Sequence, residues 1–168
     1  MRFDAIVVGG GSAGMQAAAG LQEQGRKVAV FFFGIPLEEP GREQFKAAGG
    51  VLVPGDRILR GTIEDGRVTG LVSERLGALS ADEYVLATGR FFSGGLVADM
   101  DRIYEPVFGL DVDSGSDPSE WVNPDFGAEQ PFMSFGVRAD SEGHPFKDGV
   151  RIDNLTVCGD IISGRRAK

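Results

Sequence analysis

The chain has one cysteine, one histidine and one tryptophan in 168 residues, and its 17 basic residues are outnumbered by 25 acidic ones. Each shortage excludes a class of chemistry. A lone Cys158 rules out an intramolecular disulfide, a cysteine cluster for zinc or iron–sulfur and a redox dithiol, so any redox chemistry here needs a bound cofactor, and no metal site is expected. A net charge of −8 argues against nucleic acid, whose phosphate backbone demands a basic face. Arg165, Arg166 and Lys168 make a short basic tail that reads as a solvated end rather than a membrane anchor. The longest apolar runs are strand-length, which leaves no transmembrane helix, and Met1 to Asp4 lead into a strand without the apolar core of a signal peptide. The expected location is therefore the cytoplasm. His144 stands in Glu142-Gly143-His144-Pro145 without an acid–base partner nearby in sequence, and reads as an exposed loop histidine rather than a general base.

Glycine, in contrast, is abundant, with 26 residues. Six positions carry most of the information. The apolar run Ala5-Ile6-Val7-Val8 is followed by Gly9-Gly10-Gly11-Ser12-Ala13-Gly14, with glycine at the three places a dinucleotide-binding turn requires. Gly9 makes the tight strand-to-helix turn, Gly11 lets backbone approach phosphate, and Gly14 lets the helix pack closely on the strand. The helix expected over Ser12 to Gln24 would aim its dipole and free N–H groups at an anion. A second strand, Lys27 to Phe33, completes the unit. Where an NAD-binding chain places an acid for the adenosine ribose, this one has Phe32, Phe33 and Gly34, and Glu38 and Glu39 read as a solvated loop more readily than as ribose ligands. An NAD-dependent dehydrogenase is disfavoured on that ground.

Length and composition give a single domain over 1–168. Its first βαβ portion spans 1–34. The segment 42–89 holds a helix from Arg42 to Ala48, a hairpin of Arg57–Ile63 and Arg67–Val72 around Glu64-Asp65-Gly66, and a buried return strand Tyr84–Ala87. Asp65-Gly66 supplies the positive φ of a tight turn. From 90 to 154 the chain is irregular and rich in Gly, Pro, Asp and aromatics, which marks it as a packed substrate or interface segment. Leu155–Cys158 is a last core strand, followed by the tail to 168. The fold class is α/β: a Rossmann-like central parallel sheet with helices and an inserted antiparallel β-meander. Carboxyl ends of strands form the ligand crevice in such sheets, so Gly9, Gly89 and Gly159 are expected to converge on one site. The aromatic groups Phe31-Phe32-Phe33 and Phe91-Phe92 read as core, and an exposed Trp121 or phenylalanine patch would be the docking surface for another subunit.

The order of Gly-x-Gly-x-x-Gly, helix, Ala-Ala-Gly-Gly-Val, the hairpin Glu-Asp-Gly-Arg-Val-Thr-Gly and Val-Leu-Ala-Thr-Gly resembles the FAD-binding domain of fumarate-reductase-like flavoproteins. Within them, Arg90-Phe91-Phe92-Ser93-Gly94-Gly95-Leu96-Val97-Ala98 and Glu105-Pro106-Val107-Phe108-Gly109-Leu110-Asp111-Val112 are similar to the B subunits of anaerobic glycerol-3-phosphate dehydrogenases. So are Met1-Arg2-Phe3-Asp4, Glu120-Trp121, Gln130-Pro131-Phe132, Ser134-Phe135-Gly136-Val137 and Ile152-Asp153-Asn154-Leu155. The resemblance implies a flavin, FAD or FMN, with Gly9, Gly11, Ser12 and Gly14 at its phosphate, Ala87, Thr88 and Gly89 lining it, and Asp160 accepting a ribityl or ribose hydroxyl. It implies oxidation of sn-glycerol 3-phosphate, with electrons passed to a quinone through a catalytic A-like subunit and an iron–sulfur, membrane-attached C-like subunit, placing the chain at the inner face of the membrane. Arg90, directly after Thr88-Gly89, is the first candidate for the substrate phosphate, with Arg102 and Arg138 behind it, each equally readable as a surface arginine. No catalytic residue is assigned. Measured against the family, the chain is expected to lack a central segment before Arg42 and a glycine-rich flavin-closing helix after Asp160. That leaves open the alternative of an incomplete or accessory, non-catalytic subunit.

Overall fold

Strand β1 (Arg2–Val8) forms the middle of the sheet, and its apolar run faces both ways: Ala5 and Val7 belong to one buried cluster, Ile6 and Val8 to the other. A strand buried on both sides needs parallel neighbours and a cover on each face. In the computed structural model, which describes residues 1–34 and 39–164, β1 pairs in parallel with β2 (Val28–Phe32) and with β6 (Gly77–Leu86). The full sheet runs β3-β2-β1-β6-β5-β4, with β3 being Val51–Pro54, β4 Ile58–Glu64 and β5 Arg67–Ser73; a further strand, Leu155–Val157, also pairs with β6. The expected α/β class is what is observed.

One face of the sheet is covered by helices. Met15 and Ala18 of α1 (Ser12–Glu23) and Phe45 of α2 (Arg42–Ala47) pack on Ala5, Val7, Val28, Val30 and Val85. The opposite face has no such layer among the described residues; Leu96, Ile103, Phe108, Leu110, Phe135, Val137 and Ile152, all from the segment that reads as irregular, close it. This segment is ordered by three two-residue strand pairs, Val97–Ala98 with Ile103–Tyr104, Val112–Asp113 with Gly136–Val137, and Phe146–Lys147 with Val150–Arg151. Strands of two residues cannot display a period in sequence, which is why they escape a pattern-based reading.

Two other elements differ from expectation. β3 is absent from the sequence reading because Val51-Leu52-Val53 is too short to separate from a helix end. β6, at 10 residues, is more than twice as long as the Tyr84–Ala87 strand expected. Its first part, Gly77 to Leu79, pairs antiparallel with β5, and its second part, Tyr84 to Leu86, lies in parallel between β1 and Leu155–Val157. Burial changes accordingly from alternation at Leu79 and Ala81 to a continuous run at Tyr84-Val85-Leu86. The meander turn adopts positive φ at Asp65 (50°) and Gly66 (72°), as the dipeptide requires. Asn154, buried, ties the meander to the sheet: its Oδ1 accepts from the Val68 N–H at 2.7 Å and its Nδ2 donates to the Val68 carbonyl at 2.9 Å.

Glu105, 1% exposed, organises the cover. Its carboxylate accepts backbone N–H groups of Val107 (2.6 Å), Phe108 (2.8 Å) and Leu110 (3.4 Å), winding the chain into a turn that drives Phe108 and Leu110 onto the sheet. Burial pushes this carboxyl above the ordinary glutamate range, against the opposing pull of the Phe108, Val107, Leu110 and Gly109 N–H groups.

Candidate cofactor cleft

The carboxyl ends of β1, β2 and β6 open into a cleft of about 910 Å³, near the upper end of small-molecule sites. Its floor is the Gly9 to Ala13 turn. Gly9 has φ of 114°, and a Cβ there would overlap the Ala87 carbonyl. Gly14 does not line the cleft; it lies beneath, where a Cβ would overlap the Gly9 carbonyl, so it is the packing contact that seats α1 on β1. Gly11 is the opposite case, since a Cβ there meets nothing within 4 Å and would stand in the cleft. Gly14→Ala is therefore expected to destabilise the protein by about 2–3 kcal/mol, lowering the melting temperature by roughly 4–12 °C. An unchanged thermal melt would refute the close-packing role.

Gly11 is also the N-cap of α1, and no side chain among the described residues caps this helix or places an acid in its first turn. The N–H groups of the first turn have no intrahelical acceptor, so a positive helix end faces the cleft. Directly beside the turn stand Ala87, Thr88 and Gly89, and the Thr88 Oγ1 is buried without a hydrogen-bond partner. A buried hydroxyl without a partner is a cost that a bound group can remove. Gly159 and the exposed Asp160, in the turn Gly159–Ile161 after the last strand, complete the site, and Ser12 lies at its rim. The cleft thus gathers Gly9, Gly11, Ser12, Ala87, Thr88, Gly89 and Asp160. Glycines 9, 89 and 159 converge there.

Other candidates fall elsewhere. Arg90 lies outside the described lining of the cleft: it is 8% exposed, and its guanidinium donates to the carbonyls of Met133 and Ile162. That corrects the expectation of a substrate-phosphate arginine, since a side chain spent on two backbone carbonyls is not presented to a ligand. Arg102 stacks on Tyr104, and Arg138 pairs with Asp113 at 2.7 Å. His144 is half-buried rather than exposed; its Nδ1 faces the carbonyls of Ile152 (3.1 Å) and Leu155 (2.9 Å), so that nitrogen carries the proton. Trp121, also half-buried, donates its indole N–H to the Gly115 carbonyl. Glu39 does line the cleft, while Glu38 and the residues of the basic tail lie outside the described residues.

The aromatic groups also divide. Phe31 is core, but Phe32 is only partly buried, Phe33 is exposed, and both line the cleft. The Arg42 guanidinium lies 4.4 Å from the Phe32 ring centre and that of Arg57 lies 4.2 Å from the Phe33 ring centre. Arg42 also donates to the Gly10 carbonyl at 2.6 Å, which brings its charge to the glycine turn. These two arginines are cleft residues that the sequence reading missed. The only local hint is a pair of rings at the end of β2 with arginines following. Phe91 packs edge-on to Phe132, whereas Phe92 is fully exposed, contrary to its reading as core.

A family of FAD binding domains matches residues 4–32 and 32–166. The B subunit of the anaerobic glycerol-3-phosphate dehydrogenase of Yersinia pestis is 41% identical over 133 residues, which is 78% of this chain and 31% of that protein. The protein of the same name from Vibrio cholerae is 42% identical over 135 residues, with the same shares. The chain spans about a third (31%) of the length of the curated relatives it matches. Among solved structures, the atypical thioredoxin reductase TRi of Desulfovibrio vulgaris Hildenborough is similar with a TM-score of 0.45 and 26% identity, covering 58% of this chain and 39% of that one.

Proposed function

The chain belongs to the FAD binding domain family, and on that premise we propose that it is the cofactor-binding part of a flavin-dependent glycerol-3-phosphate dehydrogenase subunit. The observation that carries the reading is the uncapped N-terminus of α1 beside Thr88, whose hydroxyl has no partner, in the lining of one cleft. The residues present suit a flavin. First-turn N–H groups and the Arg42 charge would hold its phosphate, the Thr88 hydroxyl would take a hydrogen bond, and Asp160 would accept from a sugar hydroxyl. When bound, the flavin would supply a two-electron acceptor for the hydride at C2 of sn-glycerol 3-phosphate, with the C2 hydroxyl proton lost to solvent, leaving dihydroxyacetone phosphate. The protein's own part is to neutralise phosphate charge, orient the ring system and exclude water.

The curated relatives are named as one lettered subunit of a dehydrogenase, which supports a complex. In our reading a catalytic A-like subunit and an iron–sulfur C-like subunit carry the electrons on to quinone, at the inner face of the membrane. No helix among the described residues is long and apolar enough to cross a membrane.

The reading is tested by the visible absorption spectrum of the purified chain and the mass of the small molecule it releases on denaturation. Flavin bands with FMN or FAD released are expected, and bleaching by glycerol 3-phosphate in the assembled complex would extend the support to the substrate. A colourless chain that takes up neither flavin overturns it. That outcome favours a second reading, an accessory subunit that keeps fold and interface without catalysis.

A further inference from the structure

Arg90 is a buried cation spent on backbone, and that expense calls for a reason. It follows Thr88-Gly89 on the cleft wall, and its own carbonyl accepts the N–H groups of Gly95 (2.9 Å) and Leu96 (3.3 Å), closing the loop it starts. Its guanidinium reaches two segments distant in sequence, the Met133 carbonyl in the turn Pro131–Ser134 and the Ile162 carbonyl (3.4 Å) directly after the turn Gly159–Ile161. The same two segments are stitched again by Ser163 N–H to Val137 carbonyl (3.0 Å) and Gly164 N–H to Ser134 carbonyl (2.9 Å). One planar fork therefore joins the wall of the cleft, the cover and the turn that carries Asp160.

Pinning two neutral carbonyls does not need a full charge, and burying one without a partner is costly. A neutral donor would serve. Burial does lower the proton affinity of Arg90, while the negative charge of Asp160 works the other way. An acid whose charge acts on this cation thus sits in the turn the cation holds, and it lines the cleft.

We propose that Arg90 is a positioning residue for the bound flavin, acting through the turn Gly159–Ile161 to fix where the Asp160 carboxylate stands in the cleft. This rests on the flavin reading above. Arginine suits the task because its fork spans two acceptors at once, which a lysine ammonium on a flexible stem does not reproduce. A ligand group on a turn is only as well placed as the contacts that support it.

A double-mutant cycle on flavin affinity tests the proposal. Wild type, Arg90→Met, Asp160→Asn and the double variant are titrated with FMN and with FAD by quenching of flavin fluorescence, alongside thermal melts. Each single change is expected to weaken binding about tenfold or more. The double variant should bind no worse than the weaker single one, because a support has nothing left to act on once the carboxylate is gone. Multiplicative losses, as for two independent contributions, overturn the proposal. Where Arg90→Met fails to fold, Arg90→Lys replaces it in the cycle; wild-type affinity in that variant also overturns the proposal, since the fork would then be dispensable. A wild-type chain that takes up no flavin overturns the flavin reading itself, a result distinct from an additive cycle in a chain that binds.

Discussion

Gly11→Asp is expected to leave the protein folded and to reduce its flavin affinity by more than 100-fold. The two halves of this result have separate causes. Gly11 has an ordinary backbone conformation, φ −78° and ψ −170°, and a Cβ there meets nothing within 4 Å, so the substitution introduces neither strain nor overlap. It also stands at the N-cap of α1, where aspartate is among the best residues because its carboxylate accepts the first-turn N–H groups. Stability is therefore unchanged or raised by a few tenths of a kcal/mol. Binding suffers from the same fact. A carboxylate that satisfies those N–H groups takes the donors a phosphate needs, and it puts a like charge against the phosphate, which costs about 3 kcal/mol or more. Fluorescence titration with FMN and FAD, paired with a thermal melt, reads both halves. Retained affinity in the folded variant would remove the phosphate from the glycine turn. A parallel melt of Gly14→Ala supplies the contrast, since there the loss falls on folding.

The largest loss of stability is expected at Glu105. In Glu105→Ala three backbone N–H groups, of Val107, Phe108 and Leu110, lose their acceptor in a buried place, and Phe108 and Leu110 lose the turn that holds them on the sheet. The cost is about 3 kcal/mol or more, a sizeable share of the roughly 5–15 kcal/mol that holds an ordinary domain together. Urea denaturation checks it, and a midpoint within error of wild type would show that the turn is held by other means. The same carboxyl carries a pH signature. Because burial raises it, the folded state holds the Glu105 proton more tightly than the unfolded state does. Its contribution is therefore complete below the ordinary glutamate value and declines as pH rises from there through the raised value. The stability difference between wild type and Glu105→Gln should shrink over that interval on going from acid to neutral pH; a difference that grows would reverse the sign of the shift.

Local chemistry made much of this molecule readable. The turn Gly9 to Gly14 announces itself because three glycines have three different steric duties at fixed spacing, and Asp65-Gly66 because few residues accept positive φ. Gly89 and Gly159 could be named as cleft residues because they follow apolar strands, and such strand ends share one edge of the sheet; Ala87, Thr88 and Asp160 rest on the resemblance to flavoproteins. What could not be read depends on partners distant in sequence. Arg42 and Arg57 acquire their place only when rings at the end of β2 pass beneath them, and no spacing rule links residues 32 and 42 or 33 and 57. Arg90 looked like a ligand residue because it follows Thr88-Gly89, yet chain adjacency does not fix where a long side chain turns. The cover of the second sheet face stayed hidden for another reason. Phe108, Leu110, Phe135 and Val137 reach the sheet singly from loops, so no helical or strand period reports their burial.

The shared strand β6 sets an order of assembly. Its early residues pair with β5, a neighbour in sequence, so the meander can form from local contacts soon after its own residues are made. Its late residues, Tyr84 to Leu86, wait for Leu155 to Val157, a partner that arrives only after the whole covering segment has been threaded past. That closure, like the pairing of Tyr84 to Leu86 with β1, spans a long stretch of chain and carries a larger loop entropy than the local meander does. A chain halted before it would hold the glycine turn and the meander and still lack the wall that bears Asp160. The wall that bears Asp160 is thus the last part of the cleft to be made, and until it is in place only the glycine turn and its neighbours are there to hold a flavin's phosphate.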